Sequence, residues 1–199
     1  MSLHRRLHRD QAGVSAMEMT VVVALLGVVL AMAFGSLTSY QDATAGNGAR
    51  LRNLQEAQVS MAVLTKDLRT ASSFSALAAS DVTFLGHLNT PATGPPNQVR
   101  LSVDGQGRLL EAVTPPDNPT ANPVTYTGTP VTRVVGEGLV TGGPLLDFRD
   151  AADSPTTDPD EVTSVVVTLS VALPAPVPVP ATVLTSRVFL PNVAAAAGP

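Results

Sequence analysis

The sequence predicts an α+β protein: a long N-terminal helix, transmembrane in its first half, packed on an antiparallel β-sheet domain. Three observations lead there. First, no charged residue interrupts Met19–Gln41, and at about 1.5 Å per residue such a run spans a hydrocarbon core of roughly 30 Å. Second, Leu54, Ala57, Met61, Leu64, Leu68 and Ala71 follow one another at steps of three and four, which makes one apolar helical stripe. Third, after Ser80 the apolar pattern shifts toward period two, and all 17 prolines stand after Thr90, where they exclude further long helices.

Four segments follow in order. Residues 1–13, MSLHRRLHRDQAG, form a basic leader in which Arg5, Arg6 and Arg9 outweigh Asp10; positive charge beside an apolar run keeps that end in the cytoplasm. Residues 14–40 are the transmembrane half of the helix and 41–76 its amphipathic half. The charges of Arg52, Glu56, Lys66 and Arg69 fall mostly off the apolar stripe. Gly35, and Gly46 with Gly48, are expected to bend or break the helix, because glycine in a helix interior costs up to about 1 kcal/mol relative to alanine.

Residues 77–199 form the β domain. DVTFLGHL (Asp81–Leu88) reads as a strand. QVRLSV and RLLEAV flank DGQG, which predicts a hairpin from Gln98 to Val113. PVTRVV (Pro130–Val135) and PLLDFRD are weaker strands. EVTSVVVTLSVAL (Glu161–Leu173) and ATVLTSRVFL (Ala181–Leu190) are long and rich in β-branched residues. PAPVPVP between them must be extended and unpaired, as the connection of a hairpin.

Composition narrows the function. A net charge of −4 argues against a nucleic-acid partner, which calls for a basic face. The absence of cysteine removes disulfides, thiolate metal sites and cysteine nucleophiles. His4 and His8 lie in the leader, which leaves His87 alone. There is no phosphate loop, zinc spacing or nucleophile elbow. The sequence therefore points away from an enzyme, and no cofactor is expected. The acidic run DFRDAADSPTTDPDE offers Asp147, Asp150, Asp153, Asp158 and Asp160 as calcium candidates. Its spacing does not match an EF-hand loop, and a solvated acidic loop is the plainer reading.

One residue resists a simple anchor. Glu18 stands near the front of AGVSAMEMTVVVALLGVVLAMAFG, although a carboxylate toward the membrane interior costs a few kcal/mol. A secretory signal peptide cut near AMAFGS, or a plain signal anchor, leaves Glu18 unexplained. A cut between Gly13 and Val14 explains it. The new α-amine, four residues ahead of Glu18, would pair with the Glu18 carboxylate of a neighbouring subunit and neutralise both charges in an apolar bundle.

The stretch GVSAMEM followed by a long Val/Leu/Ala run resembles the class III signal of type IV pilins and type II secretion pseudopilins. The resemblance implies cleavage after Gly13 by a prepilin peptidase, N-methylation of Val14, and filament assembly through Glu18. Val14 stands where Phe or Met is common. The implied partners are that peptidase, other pilin or pseudopilin subunits, an inner-membrane assembly platform and membrane lipid. The implied location is the bacterial inner membrane, N-terminus inside, and then a filament. Further along, LTKDLRTASS, the VRLSV–LLEAV hairpin and VVVTLSV…TSRVFLPN resemble J-type minor pseudopilins, and competence-type minor pilins have a similar layout. Missing cysteines depart from the many pilins that close a C-terminal loop with a disulfide. Some pseudopilins bind calcium in an acidic loop, which is the source of the calcium expectation. The alternative from another class is a single-pass, membrane-anchored envelope binding domain that does not polymerise.

Overall fold

The computed structural model describes residues 16–88 and 94–196. It is an α+β structure: one long helix, eight antiparallel strands in two sheets, and a short final helix. The chain divides into two compact units, Met1–Ala45 and Gly46–Pro199, and α1 (Ala16–Arg69) contributes to both.

Within the second unit, α1 buries Ala49, Asn53, Ala57, Ser60, Leu64, Asp67 and Leu68. The expected stripe is therefore rotated. Leu64, Leu68 and Ala57 are buried as predicted, whereas Leu54 and Met61 lie at its half-buried margin. Its centre is instead a row of small or polar residues. Asn53, Ser60 and Asp67 recur at intervals of seven, two helical turns apart, and each meets the β structure. Asn53 Oδ1 accepts the Leu173 amide at 3.0 Å. Glu56, one turn before Ser60, accepts the Glu137 amide at 2.9 Å. Ser60 faces Gly136 so closely that a Cβ there would lie 2.2 Å from Ser60 Oγ.

Helix α1 is unbroken through Gly35, Gly46 and Gly48, so the expected break does not occur. A methyl group on Gly46 would stand 3.9 Å from Val179 Cγ1. Val179 belongs to the proline-rich stretch, where the prolines at 174, 176, 178 and 180 are exposed and the residues between them half-buried. In this unit Gly46 is thus a seat for the strap rather than a helix breaker.

The helix ends earlier than expected. Thr70 closes it, with both its amide (3.0 Å) and Oγ1 (2.7 Å) donating to the Asp67 carbonyl. Residues 71–76, read from sequence as helix, begin β1 (Ala71–Ala78). This strand pairs with β2 (Asp81–Gly86), which pairs with β3 (Asn97–Val103), β4 (Leu109–Thr114) and β5 (Val131–Gly136) in simple sequence order. The β3–β4 hairpin is the predicted one. In its turn the Asp104 carboxylate accepts the amides of Gln106 and Arg108, each at 2.9 Å. Gly107 sits at φ +71°, where a Cβ would fall 2.3 Å from the Leu139 carbonyl oxygen, so only glycine fits.

The second sheet orders β6 (Leu146–Arg149), β7 (Ser164–Val171) and β8 (Thr182–Phe189). The short helix α2 (Pro191–Ala196) follows. One core serves both sheets. Leu64 and Leu68 of α1, Phe84, Leu101, Leu109, Val165, Val167 and Leu169 belong to it. Phe74 of β1 bridges the sheets, 5.9 Å from the Phe84 ring and 6.0 Å, edge-on, from Phe148. Such pairs add about 0.5–1.5 kcal/mol beyond the area they bury.

Gly136→Ala should lower the stability of the full chain by roughly 1–3 kcal/mol through overpacking against Ser60. Ser60→Gly should restore part of that loss in the double variant. A chemical-denaturation double-mutant cycle checks it: two purely additive losses would contradict the contact.

Candidate functional site on the N-terminal helix

From Ala16 to Thr44 every residue of α1 is exposed, and large apolar side chains lie on all sides of the helix. Met17 is 79% exposed, Val23 63% and Phe34 64%. A helix apolar all round is stable only when an apolar medium or apolar neighbours surround it. Ala16–Arg69 contains a segment long and apolar enough to cross a membrane.

Its few hydroxyls suit the same medium. Thr20 Oγ1 donates to the Ala16 carbonyl at 2.8 Å, Ser36 Oγ to Met32 at 2.9 Å, and Ser39 Oγ to Gly35 at 3.0 Å. Thr38 Oγ1 also reaches the Gly35 carbonyl, at 2.9 Å. Each of these four hydroxyls returns its proton to the helix backbone and so carries no unmet donor into hydrocarbon.

Glu18 stands in the first turn of this helix, on exposed surface. Gly13 and Val14, the residues expected to flank the cleavage point, lie outside the described residues.

The acidic run is not assembled as a cation site. Asp147 of β6 pairs with Arg149. Asp150 accepts the amides of Ala152 (2.9 Å) and Ser154 (2.8 Å). Asp153, at φ +63°, pairs with Arg187 Nη2 at 2.6 Å. Asp158 accepts the Asp160 amide at 3.0 Å. Among the described residues no three His, Asp or Glu side chains are grouped to hold a metal ion. The carboxylates of Asp147, Asp150, Asp153 and Asp158 are spent on arginines and on the turn amides of their own loop.

The structure instead gathers a polar cluster that the sequence reading did not single out. Asp67 of α1 and Glu111 of β4 are both buried, and Arg133 of β5 clamps Glu111 through Nε (3.0 Å) and Nη2 (2.7 Å). The signal was present as a phase. Glu111 follows Leu109 by two residues and so falls on the core side of its strand. Asp67 falls on the buried side of α1.

No family model, characterised protein or solved structure matches this chain significantly.

Adding millimolar calcium to the full chain in detergent should leave its thermal midpoint unchanged. A saturable rise would mean that the loop at 147–161 rearranges to gather its carboxylates.

Proposed function

We propose that the chain is a structural subunit, a minor pilin or pseudopilin, of a type IV pilus-like filament or type II secretion pseudopilus. The observation that carries this reading is the position of Glu18. It is the fifth residue after Gly13 and lies at the head of a helix whose following residues are apolar on every side.

A membrane anchor alone needs only the apolar side chains, and a carboxylate weakens it. A helical bundle of subunits gives the carboxylate a task. Cleavage after Gly13 by a prepilin peptidase exposes the Val14 amine, and the Glu18 carboxylate of a neighbouring subunit pairs with it. Apolar packing supplies the attraction between helices, and the ion pair fixes their stagger. An unpaired charge in that bundle is costly, so registers that separate the two groups are disfavoured.

The subunit resides as a single-pass protein in the inner membrane, N-terminus cytoplasmic, until an assembly platform moves it into the filament. Its unit at 46–199 decorates or caps that filament. Its role is architectural, not catalytic.

Intact mass and N-terminal sequencing of protein from its native membrane should give a chain beginning at N-methyl-Val14. A chain that keeps residues 1–13 beside an active prepilin peptidase would overturn the reading in favour of an anchored, non-polymerising envelope domain. Glu18→Ala should be processed and accumulate normally yet be missing from purified filaments. Normal incorporation of that variant would remove the ion pair from the mechanism.

A further inference from the structure

We infer that the Asp67–Glu111 pair is a pH-sensitive latch, in which one proton held between the two carboxyls seats the last turn of α1 on β4 and its loss loosens that turn. The inference concerns the unit at 46–199 and does not depend on the filament reading.

The geometry is that of two acids and one base. Asp67 is 1% exposed and Glu111 2%. Arg133 occupies both oxygens of Glu111 and so compensates one negative charge. Asp67 sits beside Glu111, and its buried Oδ2 has no hydrogen-bond partner among the described residues. Two carboxylates this close cannot both ionise cheaply in a site removed from water. A proton on Asp67 converts the repulsion into an O–H donated to Glu111. It also gives the orphaned oxygen a function.

The charged groups acting on Asp67 are Glu111 from β4, Arg133 from β5 and Lys66 from its own helix. Burial raises the Asp67 carboxyl most, followed by the hydrogen bond to Glu111 and the negative charge of Glu111. Arg133 and Lys66 oppose them, and the balance stands at about 7.

Position gives the pair its leverage. Asp67 is in the final turn of α1, and its carbonyl carries the Thr70 cap. Loosening Asp67 therefore loosens the junction where the helix passes into β1.

The sign follows from proton counting. Between the ordinary carboxylate range and about 7, the folded form keeps a proton that the opened form has released. The latch is thus strongest at the acid end of that window and is lost as pH rises through about 7. Above that it changes no further. One net proton makes the opening constant rise at most tenfold per pH unit.

The test is amide hydrogen exchange of the full chain in detergent micelles from pH 5 to 8.5, corrected for base-catalysed chemistry. Amides at 60–70 should show an opening constant that climbs toward neutrality and then levels. In Asp67→Asn, where an amide replaces the shared proton, the profile should be flat. A flat wild-type profile, or an unchanged slope in Asp67→Asn, would overturn the latch. If that variant fails to fold, the carboxyl-carbon titration of Asp67 in the wild-type chain decides. A midpoint near 7 supports the latch, and one in the ordinary carboxylate range ends it.

Discussion

Close approach along one side of residues 49–68 of α1 is the constraint on which the globular unit depends. Ala49, Asn53, Ala57 and Ser60 are small, so strand ends and connections come near the helix backbone there. Larger residues take over at Leu64 and Leu68, where the helix reaches the shared core. The seam tapers from polar contacts to apolar ones. Asn53 meets the Leu173 amide beyond the end of β7, Ser60 meets Gly136 at the end of β5, and Asp67 meets Glu111 within β4. Each meeting is specific in position. Hydrogen bonds and close contacts set register, whereas burial of leucine and valine sets the magnitude of stabilisation.

The same helix has two surroundings. Before Ala45 its side chains are exposed on all sides, and after Gly46 one flank is buried in the chain's own core. The change falls on ATAGNGA, a run with no large side chain. Small residues there let the proline-rich strap approach and leave the helix unbroken. The low helical preference of Gly46, Asn47 and Gly48 is offset by the helix on both sides, since extending an existing helix fixes few further dihedrals per bond gained.

Much of this was legible in the sequence. The charge-free run, the β3–β4 hairpin and the long β7 and β8 strands each rest on a pattern that repeats over several residues, and all fell where expected. What escaped depends on contacts distant in the chain. Strand β1, ASSFSALA, is poor in β-branched residues and prolongs the helical spacing from Leu68 to Ala71. It becomes a strand because Thr70 caps the helix and Phe74 is needed between Phe84 and Phe148. The division into two sheets could not be read from strands alone. The acidic loop looked like a candidate ligand set because sequence shows the carboxylates but not that Arg149 and the distant Arg187 pair with them. At the N-terminal site the opposite holds: Glu18 was conspicuous from sequence, since one charge in an apolar run needs no tertiary information to be noticed.

The strap over Gly46 constrains how this chain can change length. Its prolines face outward and its alanine and valines inward, residue by residue. One extra residue within 174–180 would exchange the two sets beyond it and bring a pyrrolidine ring to the place where Val179 meets the helix. Two extra residues would preserve the phase. Insertions and deletions in this connection are therefore tolerated in even steps, so drift in its length is quantised by the pleat of an extended chain.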